Sequence, residues 1–103
     1  MPDIFDTLEG IVQARRGADP ATSYVARLRH DGRAKIAQKL GEEAIETVIA
    51  AVAGDRAGVA SEAADLMFHL IVLLDDAGLT LDDVRRELQR REGLSGVDEK
   101  RSR

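Results

Sequence analysis

Residues 39–52 read KLGEEAIETVIAAV. Ile36, Leu40, Ala44, Ile45, Val48 and Ile49 fill most of the circumference of a helix that includes this stretch, as a core helix would. Yet Glu42, Glu43 and Glu46 stand in its middle, far from the first turn where the helix dipole favours negative charge. With Glu42 as origin and about 100° per residue, Glu46 falls at about 40° and Glu43 at about 100°. Lys35 and Lys39 fall at about 20° and 60°, so all five share one arc roughly 100° wide. A solvated face laced with Lys–Glu pairs would also place them so. Against that, Lys39 precedes Glu43, the less favourable order for an i, i+4 pair.

Working outward, this helix spans about Arg33–Ala53 and stops at Gly54. The next spans about Arg56–Ala77 and stops at Gly78. The second one contains LMFHLIVLL, residues 66–74, apolar nearly all round and therefore expected to be buried nearly all round. A chain of 103 residues has few helices to surround it, so a second copy is expected to finish the job, most simply in a two-fold homodimer or a higher even oligomer. On this helix Glu62, Asp65 and His69 lie on the little face that remains. Partly buried carboxylates are costly unless paired or bound to a cation. Two antiparallel helices joined at Gly54–Asp55 bring Glu43 and Glu46 opposite Glu62 and Asp65. Four such acids repel one another unless some protonate or divalent cations fill the site. All-oxygen ligation favours Mg²⁺ or Mn²⁺ over Zn²⁺. Pairing with Lys35 or Lys39 is the structural alternative. His69 is expected to be a hydrogen-bonded structural histidine rather than a ligand.

The rest of the chain supports an all-α bundle of about five helices in one domain, residues 1–103, with a polar tail from about 93. A first helix is expected over about Asp3–Arg15, burying Ile4, Phe5, Leu8, Ile11 and Val12. Gly17–Pro20 breaks it. A second, about Ala21–His30, turns Tyr24, Val25 and Leu28 inward. A fifth opens at Thr80 with a capping-box spacing that ends in Asp83, and runs to about Arg91. Aromatics make up 3 % of the chain, so packing must rest on Leu, Ile, Val and Ala. The net charge of −4 argues against non-specific nucleic-acid binding, and zero Cys excludes disulfides and thiolate metal sites. The opening MPDIFDTLEG shows no signal-peptide pattern, and the apolar run Leu70–Leu74 is too short to span a bilayer. No membrane partner and a cytoplasmic location are therefore expected. There is no GxxxxGK[ST] loop and no Ser/His/Asp or Cys/His set, so any phosphates must be held by metal and Lys/Arg.

The set Glu42-Glu43-x-x-Glu46 … Glu62-x-x-Asp65 resembles the EExxE…ExxD signature of the MazG-like all-α nucleoside triphosphate pyrophosphatases. Further stretches narrow the resemblance. Ser23-Tyr24, Leu28 and Gly32 resemble SYxxxLxxxG. Lys39-x-Gly41-Glu42-Glu43-Ala-x-Glu46 resembles KxGEEAxE. Ala64-Asp65-Leu66 with His69-Leu70 resembles ADLxxHL, Phe68 standing where Tyr is common. Ser95-Gly96-x-x-Glu99-Lys100-x-x-Arg103 resembles SGxxEKxxR. Together they resemble the phosphoribosyl-ATP pyrophosphohydrolase family of histidine biosynthesis, from about Thr22 to Arg103. The resemblance implies Mg²⁺-dependent hydrolysis of phosphoribosyl-ATP to phosphoribosyl-AMP and pyrophosphate. It implies Mg²⁺ ligation by Glu43, Glu46, Glu62 and Asp65, with Glu42 aligning or deprotonating the attacking water. Lys35, Lys39, Lys100 and Arg103 would contact substrate phosphates. A MazG-like enzyme acting on ordinary or damaged nucleotides, and a non-enzymatic helical dimerisation module, are the other readings.

Overall fold

Helix caps written into the sequence set the element boundaries. In the computed structural model, which describes residues 2–93, α1 spans Ile4–Ala14, α2 Tyr24–Asp31, α3 Arg33–Val52, α4 Arg56–Asp76 and α5 Leu81–Arg90. Asp3 caps α1 and Thr80 caps α5, each in a reciprocal capping box closed by Asp6 and Asp83. Asp55 caps α4 by accepting from the Gly58 amide at 2.9 Å. Gly32 ends α2 and starts α3 at φ 102°, a conformation in which a Cβ is disfavoured, so the chain turns between two helices without a spacer. The second helix begins later than its apolar pattern suggests. Asp19 accepts the Ala21 amide on its side chain at 2.9 Å and the Thr22 and Ser23 amides on its carbonyl at 3.0 Å. That local turn uses up Ala21 and Thr22, and Ser23 becomes the cap.

The α3–α4 pair is the principal packing unit, with α1 laid on α4 and α2 on α3. The three-residue link 53–55 makes α3 and α4 antiparallel neighbours. Val12, Val25, Leu28, Ile36, Ile71, Val72 and Leu81 form the core, with Leu8, Phe68, Leu73 and Leu74 packed against it. Ion pairs close the far end of the bundle. Asp75, its side chain almost wholly buried, takes Arg16 from the turn after α1 and Arg29 from α2, the latter at 2.9 Å. Asp76 takes Arg33 of α3 at 2.9 Å. On the other side, Glu9 of α1 accepts the Leu81 amide at 2.7 Å, and Arg85 reaches Asp6 at 2.9 Å, which fastens α5 to α1.

Two burial expectations need correction. Ile4, Phe5 and Ile11 stay exposed on α1, leaving Val12 buried and Leu8 partly so. On α2, Tyr24 is 40 % exposed while Val25 and Leu28 go inside. The helix expected to lack cover was α4, yet Ile71 and Val72 are buried within the chain. The largest uncovered stripe lies instead on α3, where Ile45, Val48, Ile49 and Val52 are 56–84 % exposed. By length and composition α4 is long and apolar enough to cross a membrane, with a mean hydropathy of 1.6 in its richest window. Its acids argue for a bundle helix. Asp75 and Asp76 are tied to arginines of α2, α3 and the turn after α1, and Glu62 and Asp65 face α3 acids, groups that are costly in hydrocarbon.

Candidate metal and phosphate site

Each helix of the antiparallel pair contributes acids to the same place. Glu43 of α3 and Glu62 and Asp65 of α4 each bring a carboxylate oxygen to within 4.8 Å of the others. Glu46, one turn beyond Glu43, lines one cleft with Glu62 and raises the carboxyls of both Glu43 and Glu62. All four expected acids therefore meet, three of them in one tight group. The cluster is electrostatically unsatisfied. One buried oxygen of Glu43 and one of Glu62 have no hydrogen-bond partner. A shared proton with Glu46, burial and repulsion from Glu46 and Glu43 push the Glu62 carboxyl up to about 7. Burial, followed by Glu46 and Asp65, raises Glu43 as well. Two orphaned buried oxygens among mutually repelling acids fit a divalent cation held by oxygen ligands. An open cleft of about 290 Å³, lined by Glu46, Ile49, Ala50, Ala53, Asp55, Gly58 and Glu62, adjoins the acids.

Glu42 stands apart from this group. It accepts from Gln38 Nε2 at 2.9 Å and from Lys39 Nζ at 3.4 Å, and these two partners hold its carboxyl below the usual range. The same contact keeps Lys39 firmly charged. Lys35 sits near enough to Glu42 to feel its charge, without an ion pair among the described residues. So both lysines border the acids on α3, and neither pairs with the four clustered carboxylates. Lys100 and Arg103 lie outside the described residues.

His69 is buried and hydrogen-bonded, as expected of a structural histidine. Its Nδ1 lies 2.8 Å from the Asp65 carbonyl, which can only accept, so Nδ1 carries the proton. In the neutral ring Nε2 then accepts from the Tyr24 hydroxyl at 3.0 Å. The bond links the first residue of α2 to α4 one turn from Asp65. Sequence reasoning missed two partners here. Gln38, which orients Glu42, was visible as an i, i+4 neighbour on α3. Arg27, whose guanidinium lies 5.7 Å from the Tyr24 ring centroid, was visible as an i, i+3 neighbour on α2.

Comparison with known proteins now decides the family. A family model described as phosphoribosyl-ATP pyrophosphohydrolase matches residues 5–92, which include every acid of the cluster. The chain belongs to the phosphoribosyl-ATP pyrophosphohydrolase family. A phosphoribosyl-ATP pyrophosphatase of Rhizorhabdus wittichii is 63 % identical over 103 residues, covering 100 % of this chain and 97 % of the relative. One from Azospirillum brasilense is 60 % identical over 97 % of this chain and 90 % of its own length. One from Erythrobacter litoralis is 58 % identical over 93 % and 92 %. Members of this pyrophosphohydrolase family are hydrolases, and the paired acids of α3 and α4 are the chain's feature best suited to that chemistry.

Proposed function

We propose that this chain hydrolyses phosphoribosyl-ATP between its α- and β-phosphates, yielding phosphoribosyl-AMP and pyrophosphate, as a step of histidine biosynthesis. The observation that carries the reading is the meeting of Glu43, Glu46, Glu62 and Asp65 between α3 and α4, with two buried oxygens unpartnered. The four acids would hold Mg²⁺, with Mn²⁺ as a substitute. Bound there, the metal would neutralise and orient the triphosphate. Water adds its oxygen to phosphorus and releases a proton to solvent, the anhydride P–O bond breaks, and the electron pair leaves with the departing phosphate oxygen. Glu42 stays ionised beside Gln38 and Lys39, which makes it a weak base and a good acceptor; its role is to align the water. Lys35 and Lys39 offer charge to phosphate oxygens from the same helix. Lys100 and Arg103 are assigned the same role from the tail by the family resemblance alone.

A homodimer completes the proposal. The α3 stripe Ile45, Val48, Ile49 and Val52 is too continuous an apolar face to leave in water, and it shares a helix with Glu42, Glu43 and Glu46. A second copy covering it would hold that helix rigid. The test of function is pyrophosphate release from phosphoribosyl-ATP, ATP and dNTPs in parallel, with Mg²⁺, Mn²⁺, Ca²⁺ or EDTA. The expected outcome is preference for phosphoribosyl-ATP, support by Mg²⁺ and Mn²⁺, and none by Ca²⁺, whose looser coordination suits a triphosphate poorly. Equal turnover of ordinary nucleotides would make the chain a general pyrophosphatase instead.

A further inference from the structure

We propose that Arg27 is a specificity-determining residue that receives the phosphate monoester on the extra ribose of the substrate, the group ATP lacks. The proposal rests on the substrate reading above and extends it. Phosphoribosyl-ATP is anionic at both ends, a triphosphate at one and a phosphate monoester at the other, with the adenine between them. The α3–α4 acids and the cations they would hold account for the triphosphate end. The other end needs a fixed positive group some way off.

Arg27 has the features that task requires. It is exposed on α2 and, unlike Arg16, Arg29 and Arg33, has no carboxylate within ion-pair distance among the described residues. It is nonetheless held. Its guanidinium lies 5.7 Å from the centroid of Tyr24, whose ring stacks on Phe68 at 5.9 Å and an interplanar angle of 18°. The Tyr24 hydroxyl is fixed by His69, and His69 by the Asp65 carbonyl. Arg27 is thus connected to the acid site through ring contacts and hydrogen bonds, His69 standing four residues, about 6 Å of helix rise, from Asp65. A guanidinium drawn to a ring by its charge at that distance keeps its N–H donors for another partner. Those donors form the fork that matches phosphate oxygens in a bidentate pair. Lys39 stands on α3 beside the acids, its ammonium near Glu42, and belongs to the triphosphate end.

The test is equilibrium binding of phosphoribosyl-AMP and of AMP to the full-length protein with Mg²⁺, for wild type, Arg27→Ala and Arg27→Lys. The expected result is a wild-type preference for phosphoribosyl-AMP whose ratio falls at least tenfold in Arg27→Ala. Arg27→Lys should fall less, since charge remains while the fork is lost. Turnover of phosphoribosyl-ATP should lose through KM more than through kcat, with the melting temperature unchanged within a few degrees. An unchanged binding ratio in Arg27→Ala, in a wild type that does prefer phosphoribosyl-AMP, overturns the role of Arg27 alone. A wild type that shows no preference and does not turn over phosphoribosyl-ATP overturns the substrate reading and this proposal with it.

Discussion

At the scale of single residues, Glu62 shows most clearly what the site is for. A carboxyl pushed up to about 7 by its neighbours binds its proton more tightly in the folded chain than in the unfolded one, where about 4.5 is usual. In metal-free protein, its stabilising contribution is present below about 4.5 and is lost as pH rises through about 7. Glu62→Gln carries no charge to repel. Its melting temperature without metal is therefore expected to match wild type at pH 5 and to match or exceed it at pH 8, while activity is abolished. Thermal melts across that pH range check this. A large loss of stability at both pH values would mean that Glu62 serves a structural ion pair. The acids could be read from the chain because charge in the middle of an apolar helix contradicts the helix's own pattern. The partners Gln38 and Arg27, though at neighbouring helix positions, gave no such signal, since an exposed polar residue one turn away contradicts nothing.

At the scale of elements, all five helices could be read from caps and apolar spacing, and the starts and ends shift by only a few residues. The start of α2 moved because Asp19 builds a turn that competes with helix. What spacing could not show is the clamp at the far end of the bundle, where Asp75 joins residues 46 and 59 positions away in sequence. Asp75→Asn should weaken both contacts and destabilise the fold by about 1.5–3 kcal/mol, the range for hydrogen bonds to charged groups. Urea unfolding measures it, and an unchanged midpoint would show the clamp to be idle. Ser23→Ala removes the cap of α2, which accepts the Ala26 amide at 3.2 Å, and should cost about 1 kcal/mol.

At the scale of the whole molecule, periodicity tells which residues share a face, but not whether the face is covered by the same chain or another. That is why Ile4, Phe5 and Ile11 were placed inside and are found outside, and why the uncovered stripe is on α3 rather than α4. The two helices can be told apart by substitution. Ile71 is 2 % exposed, so Ile71→Asp should leave the chain unfolded or aggregated, because burying an unpaired charge costs several kcal/mol, about the whole margin of a small domain. Ile49→Asp, on the open stripe, should give a folded monomer in sedimentation at micromolar concentration, where wild type is expected to sediment as a dimer. A folded wild-type monomer would refute the dimer. Above these stands the claim that the α3–α4 acids hold the metal through which phosphoribosyl-ATP is hydrolysed. Its most direct measurement is pyrophosphate release from phosphoribosyl-ATP titrated with Mg²⁺, for wild type and Glu62→Gln. Wild type should saturate with Mg²⁺ and be silent in EDTA, and the variant should lose activity at every Mg²⁺ concentration; a full wild-type rate in EDTA, or a variant as fast as wild type, would refute a metal held by these acids.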